Sequence, residues 1–531
     1  MATETVDAVV VGAGHNGLVA ANLLADAGWE VAVLEATGHI GGAVRSAEVT
    51  APGYLSDLCS AFYPLGACSR PLRSLHLEDY GLQWTHAPAV LAHALPDGSA
   101  AVLDRDPAVT AASVDRFAAG DGEAWLRMYA QWLATGGDLL DALFTPFPPV
   151  RPAVALLRRL RVADALRLAR RFLLPVRVLG DELFAGEGAK LLLTGLALHT
   201  DLAPDEAGGA AFGWLLAMVG QQYGFPVPVG GAQRIPDALA ARLAKRGGRI
   251  VTEARVDRVV VGRGRALGVR SADGPFWRAS RAVLADVAAP VLYRDLVEPA
   301  HLPPRLLADL DRFRWDYATL KVDWALSAPV PWRAATVAGA GTVHLGGDQA
   351  DLTRYAAALA AGQVPERPFV LLGQMTTADA SRSPAGTESM WGYTHLPRRD
   401  EWPAGEIDAH VARTERAVEE CAPGFGALVV GRHVAGPQEL WAENPSLVGG
   451  AINGGTAAPY QQLLFRPVPG LGRADTPIDR LYLASSSAHP GGGMHGAPGA
   501  NAARAALARH RAVSGGVYGA GVRLAHRRLY A

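Results

Sequence analysis

The sequence predicts an α/β fold in which one domain is assembled from separated stretches of chain. Three observations carry this. A strand, a helix and a second strand follow one another within residues 6–34. A long helical middle then interrupts the pattern. Strand signals return at 249–270 and again at 480–484, the last running into a glycine-rich loop and an alanine-rich helix.

Residues 6–11, Val-Asp-Ala-Val-Val-Val, form a β-branched run closed by Gly12, as in a buried parallel strand. Residues 16–27 are mostly helix formers and stop at Gly28. Residues 29–34, Trp-Glu-Val-Ala-Val-Leu, make the second strand, ending at Glu35, which completes a βαβ unit. Residues 107–220 read as mostly helical. Within them, 151–180 carries eight arginines against one acid, Asp164, after a break marked by Pro146, Pro148, Pro149 and Pro152. Val256–Val261, the turn Gly262-Arg-Gly264 and the run to Val269 predict a β-hairpin. Tyr317–Leu326 and Phe369–Leu372 are strand-like, and alternation along the first leaves Lys321 facing either the interior or solvent. Arg480–Ala484 is the last strand and Ala500–Ala508 the helix after it.

Composition narrows the function classes. The 531 residues carry 50 Lys+Arg and 51 Asp+Glu, a formal charge of −1, so no global field attracts nucleic acid. With 50% hydrophobic and 19% charged residues the chain is globular rather than disordered. Cys59, Cys68 and Cys421 form no C-x-x-C pair, which argues against a thiol–disulfide reductase and a structural zinc site. No stretch is apolar for the ~18 residues that a membrane span requires. The five residues before Val6 leave no room for a leader, so the expected location is the cytoplasm.

Gly12-Ala-Gly14-His-Asn-Gly17 is a G-x-G-x-x-G fingerprint in its confirming context, after a strand and opening a helix. Gly12 permits the tight turn, Gly14 lets backbone approach a diphosphate, and Gly17 lets helix and strand pack closely. The helix N-terminus supplies N–H groups to the phosphates. Glu35 lies 23 residues after Gly12, placed to accept from a ribose diol. Beyond it, Gly41 and Gly42 allow a second backbone segment to close on the diphosphate, and Arg45 can neutralise it. FAD is long enough to need this extra coverage. Gly262-Arg-Gly264 and Gly339-Ala-Gly341 echo the fingerprint but open no helix or lack the third glycine, so no second dinucleotide site is expected.

The pattern E-x-x-x-x-x-G-G-x-x-R after G-x-G-x-x-G resembles the flavoprotein superfamily of amine oxidases and carotenoid desaturases. Ser56–Tyr63 and the stretch from Thr476 through His489-Pro-Gly491-Gly492-Gly493-Met494-His495 to Asn501 narrow the resemblance to its phytoene-desaturase-like branch, and most to the subgroup typified by pyridine nucleotide-disulphide oxidoreductase domain-containing protein 2. The likeness runs to about residue 510 and is loose in 80–220. It implies a Rossmann-like FAD-binding domain of the glutathione-reductase/amine-oxidase type with a discontinuous α+β substrate domain. The FAD domain would take 1–75, 225–300 and 470–512; the substrate domain would take 76–224, largely helical, and 301–469, mixed sheet; 513–531 would be a tail. By the same resemblance Val256 meets the adenine, and Gly491, Gly492, Gly493 and Met494 face the flavin ring.

The implied activity is FAD-dependent dehydrogenation or desaturation of an apolar, isoprenoid or polyene substrate. Alternatives are amine oxidation, polyene isomerisation and a non-catalytic flavin-bearing scaffold. His489 and His495 flank the glycine cluster and are the candidate proton-transfer residues, the alternative being that both pack or bond to backbone. Tyr63 and Asp57 are lesser candidates. An amine oxidase of this superfamily uses a lysine at the flavin; of Lys190, Lys245 and Lys321, only Lys321 sits on a suitable strand. The arginine-rich stretch 151–180 has two readings: a basic amphipathic surface resting on anionic lipid, with peripheral membrane association, or a solvated cap or subunit interface.

Overall fold

The computed structural model describes residues 3–272 and 274–531. Most of its strands fall into two seven-stranded sheets that the chain visits in turn. The first sheet takes β1 (Thr3–Val11) and β2 (Val31–Leu34), the second β3 (Ala89–Ala94) and β4 (Ala100–Leu103). The chain returns to the first for β5 (Arg249–Val251), β6 (Val256–Gly262), β7 (Arg265–Ser271) and β8 (Phe276–Ala285). The second then receives β9 (Ala318–Leu326), β10 (Ala340–Leu345), β11 (Val370–Gln374), β12 (Glu388–Leu396) and β13 (Val429–Ala435). β14 (Leu481–Leu483) completes the first.

In the first sheet the order is β6-β7-β8-β1-β2-β5, with β14 beside β8. β5, β2, β1, β8 and β14 run parallel. The β6–β7 hairpin joins antiparallel to the first residues of β8, while β14 pairs with its last, Val283–Ala285. The continuous apolar run of β1 follows from burial on both faces. Val6, Val9 and Val11 enter one core, and Ala8 and Val10 the other. The second sheet runs β13-β9-β12-β11-β10-β3-β4 and is antiparallel except between β10 and β3.

Nine longer helices matter here: α1 (His15–Asp26), α2 (Asp121–Leu143), α3 (Val150–Arg159), α4 (Val162–Arg171), α5 (Glu187–Ala197), α6 (Gly209–Tyr223), α7 (Arg234–Lys245), α8 (Ala497–Arg509) and α9 (Gly515–Tyr530). α1 packs on α7 and α8. From α7, Arg242 pairs with Asp26 at 3.0 Å and donates to Asn22. At α8, a Cβ on Gly499 would fall 1.9 Å from the Asn16 carbonyl oxygen, so α1 and α8 touch backbone to backbone. Trp125, Trp132 and Trp214, from α2 and α6, anchor the core that covers the second sheet.

Three expectations change. The second strand begins at Val31, not Trp29. The last helix starts three residues early, at Ala497, with Pro498 in its first turn. Residues 513–531, expected as a tail, contain α9, which lays Tyr530 into the core of the first sheet. Among the described residues no helix is long and apolar enough to cross a membrane.

Candidate active site

The register of the first sheet builds one end of the site. Val11 stands beside Leu34 and Ala285, and Ala285 beside Leu483. The residues one step further, Gly12, Glu35 and Asp286, therefore end the parallel strands side by side, with Ser485 just beyond β14. All four line one cavity of about 530 Å³. Ligands of open parallel sheets bind at this carboxyl edge.

At the edge, the turn after β1 is held open. Gly12 has φ +96, which a side chain disfavours. Gly14 caps α1 and forms a parallel bridge with Gly41. The Gly41 amide donates to Ala13 O at 2.8 Å, and a Cβ on Gly42 would stand 3.3 Å from Gly14 Cα. The two glycine segments thus make a narrow backbone cradle. Glu35 accepts from the Ala13 amide at 2.8 Å and the Thr37 amide at 2.9 Å, which fixes its carboxylate on the wall. Arg45 lines the wall too and has no carboxylate partner among the described residues. Three further wall residues carry buried polar atoms with no partner: His15 Nε2, Asn16 Oδ1 and Asn453 Nδ2. Orphaned polar atoms around a backbone cradle fit a dinucleotide coenzyme.

Toward the second sheet the lining becomes aromatic and apolar: Phe62, Phe225, Leu371, Trp391 and Tyr393, the last two stacked at 6.1 Å and 11°. Among these groups stands His199, which follows α5. Its Nε2 is 2.8 Å from Nε2 of His344 on β10. His344 fits because Gly195 of α5 has no Cβ; one there would lie 2.3 Å from His344 Nδ1. Burial, reinforced by His395, pushes the His199 pKa down to about 3, so its imidazole is neutral and an acceptor at ordinary pH.

Of the anticipated residues, Gly12, Gly14, Glu35, Gly42, Arg45, Val256, Gly493 and Met494 line this cavity. Gly17 and Gly41 shape it from behind; a Cβ on Gly17 would sit 2.3 Å from Gly12 O. Gly491 and Gly492 pack against Arg466 and Asn453 instead of joining the lining.

The two histidines expected to move protons, His489 and His495, lie behind the glycine loop. His489 Nε2 meets Thr145 O at 3.2 Å, and burial pushes its pKa down to about 4. His495 Nδ1 accepts from the Ala497 amide at 3.1 Å, and burial pushes its pKa down to about 3. Neither lines the cavity. Each meets backbone through a ring nitrogen, while His489 Nδ1 has no partner among the described residues. Tyr63 donates to Ser60 O at 2.6 Å, and Asp57 pairs with buried Arg382 at 2.9 Å; both hold loops. Lys321 points inward but is bound to Asp323 on its own strand and is absent from the lining. His15, Asn16, Asp286, His199 and Asn453 were not anticipated. A signal existed for Asp286: like Glu35, it is an acid directly after a short apolar run, Ala282–Ala285.

The sequence profile of flavin containing amine oxidoreductases matches residues 17–507. The chain belongs to this family. It is 29% identical to mouse pyridine nucleotide-disulfide oxidoreductase domain-containing protein 2, over 94% of this chain and 92% of the relative. It is 25% identical to the neurosporene-forming phytoene desaturase of Rhodobacter capsulatus, over 92% and 91%. An oxidoreductase structure from Methanosarcina mazei shares the fold, with a TM-score of 0.61 at 16% identity, covering 94% of this chain and 99% of that one. The protein is a phytoene-desaturase-like, FAD-dependent oxidoreductase. FAD, when bound, supplies the hydride acceptor. The cradle of Gly12, Gly14 and Gly42, with Glu35 and Arg45, are the residues that would hold it.

Proposed function

We propose that the protein dehydrogenates an apolar substrate, desaturating a carbon–carbon bond of an isoprenoid or polyene. The observation that carries this is the wall facing the second sheet: aromatic and aliphatic, with no lysine among the described lining residues and one neutral histidine. The names of the Rhodobacter capsulatus relative and of the zeta-carotene-forming phytoene desaturase of Myxococcus xanthus support it. Loss of a hydride and a proton from adjacent carbons leaves the double bond. His199 takes the proton. With the shared hydrogen on His199 Nε2, donated to His344, its Nδ1 keeps a free lone pair. The stacked Trp391 and Tyr393 orient the flat chain and exclude water.

The test is anaerobic bleaching of the oxidised-flavin absorbance by phytoene in detergent, compared with putrescine. Phytoene bleaches the wild type and putrescine does not. His199→Gln keeps its flavin but bleaches about 10²–10⁴-fold more slowly. Bleaching by the amine and not by phytoene would overturn the assignment in favour of amine oxidation.

A further inference from the structure

The carboxyl group of Asp286 occupies the mouth of α1. Its Oδ2 accepts from the Gly17 amide at 2.7 Å and lies 2.6 Å from where a Cβ of Gly14 would be. Its backbone oxygen lies 2.7 Å from where a Cβ of Gly12 would be. The three fingerprint glycines are thus folded around this one acid. Asp286 lines the cavity, and among the described residues it has no cationic partner and no hydrogen bond to Oδ1. The same helix N-terminus is the ordinary seat of a coenzyme diphosphate. A carboxylate and a diphosphate, both anionic, repel each other there with little solvent to screen them.

We propose that Asp286 binds the coenzyme as the neutral carboxylic acid, so that FAD and one proton enter the site together. Oδ2 keeps its bond from Gly17, and Oδ1–H becomes a donor with no partner inside the protein. The repulsion is removed and one hydrogen-bond donor is added. The proton is readily supplied. Burial, opposed by the Gly17 bond and reinforced by the charge of Glu35, pushes the Asp286 pKa up to about 7.

Other charged or titratable groups lie on the same walls: His15 on α1, Glu35, His39 and Arg45 after β2, Arg255 and Asp257 at the start of β6, Asp295 beyond β8, and Glu443. Burial holds His15 neutral, with its pKa pushed down to about 4. His39 is exposed on the same wall, and its replacement is the control for the experiment.

The experiment strips the flavin from the full chain and titrates FAD back from about pH 6 to about pH 9, following flavin fluorescence. Proton uptake is read in parallel with an indicator dye in weak buffer. The wild-type Kd is flat below about pH 6 and rises by up to about tenfold per unit above about pH 7, with about one proton taken up per FAD near pH 8. Asp286→Asn keeps a donor at this position without a charge. It binds FAD with a Kd that does not change over the range and takes up no proton, while His39→Gln behaves as the wild type. A pH-independent wild type without proton uptake would overturn the proposal. So would a slope that survives in Asp286→Asn or disappears in His39→Gln. If Asp286→Asn does not fold, uptake by the wild type and His39→Gln decides the matter alone.

Discussion

A Cβ on Gly14 would stand 2.6 Å from Asp286 Oδ2, inside van der Waals contact, and Asp286 is too short to retreat while bonded to Gly17. Gly14→Val therefore purifies without flavin, seen as a missing visible band; full yellow occupancy would contradict the placement. A second single-residue expectation concerns Lys321 and Asp323, 2% and 1% exposed. Lys321→Met leaves buried Asp323 with His433 alone, 3.8 Å away, and costs about 3 kcal/mol of stability, whereas adding Asp323→Leu restores most of it in thermal unfolding. At this scale the sequence was legible where chemistry is local. Gly12, Gly14 and Glu35 are tied together by spacing alone. His199 was not legible, because its value comes from His344, 145 residues away. The surroundings of His489 were not legible for the same reason, since its partner Thr145 O lies 344 residues away, whereas His495 meets the Ala497 amide only two residues on.

Elements with strong periodicity were read closely. The βαβ start, the hairpin at 256–271 and the strand ending at Leu326 stand within a few residues of expectation. β9 resisted an assignment of faces because every residue in it is buried, so the inside–outside alternation that sets a face is missing. α9 escaped notice because Gly515, Gly516, Gly519 and Gly521 depress helix propensity. Its order comes from tertiary bonds, Tyr518 Oη to Asp475 at 2.8 Å and Tyr530 Oη to Pro469 O at 2.9 Å. α3 and α4 are the opposite case, strongly amphipathic yet with no buried residue. Arg159 and Arg170 are engaged by Asp138 and Glu182, while Leu157, Val162 and Leu166 stand 62%, 79% and 66% exposed. We propose that this arginine-flanked apolar face rests on anionic lipid. Liposomes rich in phosphatidylserine then float the wild type, and Leu157→Glu/Leu166→Glu sinks it with its flavin content unchanged. Equal flotation of the two would end the idea.

Across the whole molecule, the two sheets are interleaved in sequence but separate in hydrogen bonding, and the cavity lies where they face each other. The edge of the first sheet supplies Gly12, Glu35 and Asp286, the second sheet supplies Leu371, Trp391 and Tyr393, and Phe62 and Phe225 come from loops. On the proposed function, coenzyme binding falls to the first sheet's edge and the apolar substrate to the wall on the second sheet's side. That division explains why the coenzyme half was readable and the substrate half was not. A diphosphate cradle needs fixed backbone geometry, hence fixed glycines. An apolar wall can be built from many side chains.

The backbone contact between Gly499 and Asn16 joins two helices that lie far apart in sequence. During synthesis the first helix leaves the ribosome long before the surface it rests on exists. A chain stopped short of residue 499 is therefore expected to purify colourless, however well its earlier portions fold.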